Sequence, residues 1–275
     1  MPFYFYIIIG VVGFFLLLFC AYLFLLKTSK REELSEYKGA LFAHRGLHNC
    51  ERAENSMSAF LAAADKGYGI ELDVRLSSDG ELVVFHDDTL LRVCGIDKRV
   101  DEFTAKELAG FRLSGTEDGI PLFSEVLSAI SGRVPILVEI KEDQGDSRVS
   151  SKTAEILKDY KGKFLVQSFN PLSVKNVKQK LPSAVGGILC QSYWREKEYR
   201  KIIHFLLGLM VTNIACRPSF IAFNASHPKN PALLAARLFF RTPTFAWTVR
   251  SEDEGKRAKK NHFDALIFEN YIPEK

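Results

Sequence analysis

The segments GIELDVRL (residues 69–76) and PILVEIK (residues 135–141) have the continuous apolar pattern of strands that are buried on both faces. Each segment nevertheless contains carboxylates: Glu71 and Asp73 in the first, Glu139 in the second. Residues two apart on a strand project to the same face, so Glu71 and Asp73 are expected side by side. Because buried charges are nearly always paired or bound to metal, the two strands predict a cation site within a buried sheet.

Apolar segments alternate with helical patterns along most of the chain. Strands are predicted at residues 40–43, 70–76, 82–85, 136–140, 164–169, 185–189, 220–223, 244–249 and 265–268, and helices at 56–66, 105–111, 123–131, 152–160, 171–179, 231–240 and 252–261. This alternation is typical of βαβ units and predicts an α/β fold, a TIM-type (β/α)8 barrel. Residues 77–81 are too few for a parallel crossover, so the barrel is expected to be irregular: one strand breaks the alternation or lies outside the wall.

The first 26 residues contain no charged residue and no histidine. Residues 3–26 form an apolar run long enough to cross a bilayer, which predicts a transmembrane anchor at 1–26. A juxtamembrane linker at 27–38 and a catalytic barrel at 39–275 follow. The alternative is a cleaved signal peptide, which the absence of a basic start and the length of the run disfavour.

Flanking charge predicts the orientation of the anchor, because positive charge is retained in the cytoplasm. The basic residues that follow the span directly are Lys27, Lys30, Arg31 and Lys38. The protein is therefore predicted to be a single-pass protein of the cell membrane with a cytoplasmic catalytic domain. The net charge of +4 is modest and forms no basic stripe, so no nucleic-acid partner is expected. The five cysteines form no CxxC pair, which argues against a disulfide framework or a zinc site.

Residues 194–216 are the least regular part of the chain. Their apolar stretch is too short to span a bilayer and predicts a buried helix. The alternative is a segment that rests on the membrane surface. Its basic border would be Arg195, Lys197, Arg200 and Lys201.

Two histidines stand at the ends of predicted strands: His44 after the first and His86 after the third. In parallel barrels the carboxyl ends of the strands form the active-site face. A lone histidine there is more often structural, but two of them around a carboxylate set predict a general acid and a general base. Arg45 offers a planar fork for phosphate and Lys141 a point charge. Carboxylate donors favour Ca²⁺ or Mg²⁺ over Zn²⁺.

Six short motifs occur in a characteristic order along the first half of the chain. They are His44-Arg45-Gly46, Glu54-Asn55-Ser56, Glu71-Leu72-Asp73, Asp79-Gly80, His86-Asp87 and Glu139-Ile140-Lys141. Together they resemble the glycerophosphodiester phosphodiesterase family, and the resemblance continues more weakly through Gln167-Ser168-Phe169 and Trp247-Thr248-Val249.

The resemblance implies a metal-dependent TIM-barrel enzyme that releases glycerol 3-phosphate and an alcohol through a cyclic phosphate. It further implies the following roles: His44 and His86 as acid and base; Glu71, Asp73 and Glu139 as ligands of one divalent cation; Arg45 and Lys141 as phosphate contacts; and Trp247 in the pocket wall. The expected partner is a glycerophosphodiester or lysolipid substrate.

The chain departs from the family pattern at two places. Arg250 stands where the family usually has Asn, and Glu269-Asn270 stands in the closing motif. Both are predicted to lie outside the metal and histidine set and to affect substrate choice. The sequence leaves open lysophospholipase D-type cleavage of membrane lysolipids, another phosphodiester substrate, and a non-catalytic membrane-bound scaffold. Head group, Ca²⁺ against Mg²⁺, the assignment of acid and base, and oligomeric state are also undecided.

Overall fold

The structure, a computed structural model, describes residues 3–143, 145–193 and 202–274. Its strands are β1 (Leu41–Ala43), β2 (Gly69–Leu76), β3 (Leu82–Val84), β4 (Ile136–Ile140), β5 (Phe164–Ser168), β6 (Gly186–Cys190), β7 (Phe220–Asn224), β8 (Thr244–Val249) and β9 (Ala265–Phe268). Its helices are α1 (Phe3–Leu26), α2 (Met57–Asp65), α3 (Leu91–Cys94), α4 (Ala105–Leu108), α5 (Phe123–Ile130), α6 (Arg148–Leu157), α7 (Pro171–Lys180), α8 (Ile202–Gly208), α9 (Asn213–Cys216), α10 (Pro231–Phe240) and α11 (Glu252–Lys260). Short 3-10 helices occupy Glu32–Tyr37 and Val100–Glu102.

Eight of the strands are parallel and form a closed barrel. Their order is β1-β9-β8-β7-β6-β5-β4-β2, and β1 pairs with β2 to complete the ring. Helices connect successive strands, so the predicted TIM-type barrel is confirmed.

The one remaining strand of the described sheet, β3, explains the irregularity that the sequence predicts. β3 runs antiparallel to β2, with Val74 opposite Val84 and Leu76 opposite Leu82, and it lies outside the ring. Residues 77–81 therefore form a hairpin rather than a crossover. The segment that follows has its own hydrophobic cluster, which includes Leu90 and Leu108. The β2–β3 hairpin brings His86, which follows β3, back to the barrel.

The barrel interior is filled with stacked aromatic rings. Phe245 stacks on Phe42 at 5.9 Å and on Phe220 at 4.6 Å between ring centroids. Gly187 makes room for them, because a Cβ there would lie 2.3 Å from the Phe220 ring. Tyr37, in the segment predicted as a polar linker, stacks on Phe42 at 6.2 Å. The linker thus contributes to the barrel core.

Helix α1 is the one helix, within the described ranges, that is long and apolar enough to cross a membrane. Tyr4–Leu26 has a mean hydropathy of 2.8, and none of its most apolar window is buried. By length and composition α1 could be a membrane span or a signal sequence. Its last turns pack against α9 and α10.

The irregular segment at 194–216 differs from its prediction. Its described part contains two short helices rather than one buried helix, and Ile202, Phe205 and Leu206 of α8 are exposed. The apolar stretch is too short to form a helix that the barrel covers on every face, so the outward side chains of α8 stay exposed. The basic border expected at Arg195, Lys197, Arg200 and Lys201 lies outside the described residues.

Candidate active site

The three carboxylates predicted as cation ligands meet inside the barrel. β2 and β4 are neighbours in a register that places Asp73 opposite Glu139 and Glu71 opposite Leu137. Glu71, Asp73 and Glu139 are all buried, and one oxygen of each lies within 4.8 Å of the others. The strands thus hold three oxygen donors in a compact group, as a hard divalent cation requires.

Two cations border this group. Lys141 Nζ lies 3.1 Å from Asp73 Oδ1 and donates a hydrogen bond to Glu139 Oε1. Arg45 Nε lies 3.5 Å from Asp73 Oδ2, and the Arg45 backbone N–H donates to Glu71 Oε2 at 3.0 Å. Three carboxylates therefore face two fixed positive side chains, and one negative charge of the group has no cationic partner among these residues.

The pKa values of the carboxyl groups report this imbalance. Burial, followed by the negative charges of Asp73 and Glu139, raises the pKa of Glu71 well above its ordinary value. Burial also raises the pKa of Glu139, although Lys141 opposes the shift. Burial acts in the same direction on Asp73, but Lys141, His86 and Arg45 outweigh it and hold the pKa of Asp73 low.

The loop before α2 supports both sides of the site. Asn55 Nδ2 donates to Asp73 Oδ2 at 2.8 Å, and Asn55 Oδ1 accepts from the Asp73 backbone N–H at 3.3 Å. Glu54 Oε1 accepts a hydrogen bond from Arg45 Nη1 at 2.8 Å. Ser56 caps α2 by accepting from the Ala59 backbone N–H at 3.2 Å. The Glu54-Asn55-Ser56 motif therefore both caps α2 and orients Asp73.

His44 follows β1 and faces a carboxylate that the sequence did not assign to the site. His44 Nδ1 lies 3.4 Å from Glu269 Oε1, and the same oxygen lies 3.4 Å from His48 Nε2. Glu269 Oε2 accepts a hydrogen bond from Arg250 Nε at 2.9 Å. The prediction that Glu269 lies outside the histidine set is therefore wrong, because barrel closure brings the end of β9 beside the end of β1. Arg250 reaches this set only through Glu269.

His86 reaches the site through the antiparallel strand. The backbone N–H of Phe85, after β3, donates to the Asp73 carbonyl at 3.0 Å, which places His86 beside β2. His86 Nδ1 lies 2.6 Å from Asp87 Oδ1, and Asp87 Oδ2 accepts from Arg92 Nε at 2.6 Å. The pairing of His86 with Asp87 could be expected from their adjacency in the sequence, whereas nothing in the sequence marks Arg92 as a partner of Asp87.

Arg92 joins the two halves of the site. It donates to Asp87 and to both carboxylate oxygens of Glu54, at 2.6 and 2.9 Å. Glu54 in turn holds Arg45. A continuous set of charged hydrogen bonds thus links His86 to the arginine predicted to contact phosphate.

A cavity of about 640 Å³ opens beside the carboxylates. Arg75, Glu139 and Lys141 line its polar part, and an apolar part is lined by Phe169, Leu172, Tyr193 and Leu207. Trp247 is anchored by a hydrogen bond from its Nε1 to the Ala222 carbonyl at 3.0 Å, and its ring meets Phe169 edge-on at 5.6 Å. The cavity therefore combines an ionic end with an apolar wall.

The sequence of this chain is similar to one family of known proteins. Residues 44–272 match the sequence model of the Glycerophosphoryl diester phosphodiesterase family. A glycerophosphodiester phosphodiesterase of Caldanaerobacter subterraneus subsp. tengcongensis is 30% identical over 242 residues, which cover 84% of this chain and 93% of the relative. Lysophospholipase D GDPD1 of Rattus norvegicus is 32% identical over 136 residues, which cover 45% of this chain and 42% of the relative.

Solved structures share the fold. The phosphodiesterase of Oleispira antarctica, determined in complex with the product sn-glycerol-3-phosphate, superposes with a TM-score of 0.69 and 21% identity over 85% of this chain and 94% of that protein. The family match spans nearly the whole barrel and every predicted site residue. The chain therefore belongs to the glycerophosphoryl diester phosphodiesterase family and is a phosphoric diester hydrolase.

Proposed function

We propose that this chain hydrolyses glycerophosphodiesters to glycerol 3-phosphate and an alcohol, with one divalent cation and with His44 and His86 as acid and base. The observation that carries the proposal is the buried group of three carboxylates beside Arg45 and Lys141, with one unbalanced negative charge. The product named for the Oleispira antarctica structure supports the substrate class. The presence of all three carboxylates together with Arg45, Lys141 and both histidines argues against a non-catalytic scaffold.

The residues fit a hard divalent cation. Glu71, Asp73 and Glu139 would hold it through carboxylate oxygens, the ligands that both Ca²⁺ and Mg²⁺ prefer. A divalent cation would turn the excess negative charge of the site into one positive charge, which a singly charged phosphodiester then balances. When bound, such an ion polarises a phosphoryl oxygen and stabilises charge that gathers around phosphorus.

The protein side chains divide the remaining work. Arg45 and Lys141 bind and orient the phosphate oxygens, for which a guanidinium fork and an ammonium are suited. One histidine accepts the proton of the neighbouring glycerol hydroxyl as its oxygen attacks phosphorus. The other donates a proton to the departing alcohol, and a cyclic phosphate remains. Water then opens the ring to glycerol 3-phosphate, with the two histidines in exchanged roles.

The metal requirement is tested with the full chain in detergent and glycerophosphocholine as substrate. We expect activity to disappear with EDTA and to return with Mg²⁺ or Ca²⁺, and Asp73→Asn to remain inactive at every metal concentration. Glu155→Gln, at an exposed position on α6, is the matched control and should retain full activity. Full activity in EDTA, or an active Asp73→Asn variant, would refute the metal site.

A lysolipid substrate is the second candidate, favoured by the apolar wall of the cavity and by the partial match to a lysophospholipase D. An acyl chain would lie along Leu172 and Leu207. Leu172→Gln should then raise KM for lysophosphatidylcholine while KM for glycerophosphocholine stays constant. Equal effects on both substrates would remove this candidate.

We further propose that α1 spans the cell membrane and holds the barrel in the cytoplasm. Cys50 is an exposed thiol in the barrel and reports its side. A membrane-impermeant maleimide should label it only after cells are permeabilised, and Cys50→Ser should reduce that signal. Labelling in intact cells would indicate the opposite orientation, with the barrel outside the cell. Release of the chain from membranes by alkaline carbonate would contradict the anchor.

A further inference from the structure

A surface formed by α8, α9 and α10 is unusually apolar for the outside of a barrel. In the described part of the chain, eleven large apolar side chains outside α1 are exposed, and seven of them belong to these three helices. Six lie on the longer two helices: Ile202, Phe205 and Leu206 on α8, and Leu234, Leu238 and Phe239 on α10. Exposed apolar clusters of this kind mark contact with a partner or a membrane.

Helix α10 is apolar on both of its faces. Ala232, Leu233 and Ala236 are buried against the barrel. Leu234 and Leu238, one turn apart on the other side, are 46% and 75% exposed. A helix that is hydrophobic all round is typical of apolar surroundings on every side, rather than of a helix with one face in water.

Within residues 202–251, the segment that carries these three helices, every charged side chain is basic. These residues contain no Asp or Glu. Their basic residues on or near the three helices are Arg217, Lys229, Arg237 and Arg241, whereas Arg250 pairs with Glu269 at the candidate active site. Exposed Lys229 lies two residues before α10, and exposed Arg241 directly follows it. Basic residues at the edge of an apolar surface complement the anionic head groups of a membrane leaflet.

The surface is continuous with the proposed membrane anchor. The ring of Phe19 in α1 meets the ring of Phe239 edge-on, with centroids 5.6 Å apart. Tyr22 donates to the carbonyl of Leu209, just after α8, at 3.3 Å. On its inner side α8 contributes Leu207 to the wall of the catalytic cavity. Helix α8 and the residue that follows it therefore connect the anchor to the cavity.

We propose that the α8–α10 surface is a second membrane contact, which lies in the interface of an anionic leaflet. The anchor alone would leave the barrel free to swing, whereas the additional contact fixes its orientation and keeps the apolar side of the cavity at the lipid surface. The inference rests on the proposed anchor and requires no particular substrate.

The test measures the lipid contact of a fluorophore on the full chain in vesicles of phosphatidylcholine and phosphatidylglycerol. Cys20, Cys50 and Cys94 are replaced by Ser, and the buried Cys190 and Cys216 remain. An environment-sensitive nitrobenzoxadiazole label is then placed at one new cysteine at a time, and lipids with nitroxide-labelled acyl chains serve as quenchers.

Three positions form a matched set: Leu238→Cys on α10, Phe15→Cys in the anchor, and Leu91→Cys, an exposed apolar position on α3. We expect strong quenching at 15 and 238 and little at 91. Leu234→Cys repeats the measurement should Leu238→Cys fail to fold. Quenching at 15 with none at 238 would overturn the second contact and leave the anchor intact. Quenching at neither position would overturn both.

A second copy of the chain is the competing occupant of the surface. In that case the label at 238 would show a blue-shifted emission without lipid quenching, and the shift would vanish as the protein is diluted in lipid. That result would also overturn the proposal. Quenching at 238 that persists at the lowest ratio of protein to lipid supports it.

Discussion

Glu269 Oε1 lies 3.4 Å from His44 Nδ1, and Glu269 Oε2 accepts a hydrogen bond from Arg250 Nε at 2.9 Å. The two departures from the family pattern are thus bonded to each other, and Glu269 also contacts one of the proposed catalytic histidines. Burial lowers the pKa of His44, and Glu269 opposes that shift by stabilising the protonated ring. Arg45 lowers the pKa of His44 further, and Asp73 raises it.

Removal of the Glu269 carboxylate should therefore move the titration of His44 to lower pH. In Glu269→Gln we expect the limb of the pH profile of kcat/KM that belongs to His44 to shift to lower pH. The direction is the same whether His44 acts as base or acid, because its pKa falls in either role. Glu252→Gln, on the neighbouring helix α11, is the control, and an unchanged profile for Glu269→Gln would contradict the coupling.

Asp87 offers the corresponding test for His86. Burial lowers the pKa of His86, while the negative charge of Asp73 and the hydrogen bond that the ring donates to Asp87 raise it. Asp87→Asn should shift the other limb of the kcat/KM profile to lower pH. The acid limb reports the base and the alkaline limb the acid, so the two variants together assign the roles. If both variants moved the same limb, the division of labour would be wrong.

The buried, ionised carboxylate of Glu71 should destabilise the metal-free protein at neutral and alkaline pH. The pKa of Glu71 is raised in the folded state, so its contribution to stability is full below its unfolded pKa and is lost as pH rises through the folded pKa. Glu71→Gln removes this loss, which is worth about 1.4 kcal/mol per pKa unit. In EDTA at alkaline pH we expect a higher Tm for Glu71→Gln than for the wild type.

Metal should reverse that order. Mg²⁺ or Ca²⁺ binds the folded wild type and raises its Tm, whereas Glu71→Gln should respond much less. Calorimetry across a range of metal concentrations measures both effects. An equal metal response in the two proteins would exclude Glu71 as a ligand.

The segment between α1 and the barrel should matter for stability. Leu34 is 4% exposed and packs in the barrel core with Tyr37, whereas neighbouring Glu33 is exposed. Leu34→Ala should lower the free energy of unfolding by about 2 to 4 kcal/mol, and Glu33→Ala should leave it nearly unchanged. Urea unfolding followed by circular dichroism measures both. Equal stability of the two variants would show that this segment does not support the barrel.

Much of the barrel is predictable because strands buried on both faces are continuous apolar runs, and the three carboxylates stand out within them. The direction of β3 is less visible, since it depends on whether residues 77–81 turn back or cross over. Glu269 is remote from His44 in sequence and becomes its neighbour because closure pairs Ala43 with Phe268, the residues just before each. Once a closed barrel is predicted, that pairing of the first and last strands is the signal that would have revealed Glu269.

This site is proposed to cleave the bond between phosphorus and the head-group oxygen. Phosphorus NMR of glycerophosphocholine with the full chain and a divalent cation follows that cleavage directly. We predict conversion to glycerol 3-phosphate through a transient cyclic phosphate, and no conversion by the folded His44→Ala variant. Release of phosphocholine, or no conversion by the folded and metal-loaded wild type, would contradict the account.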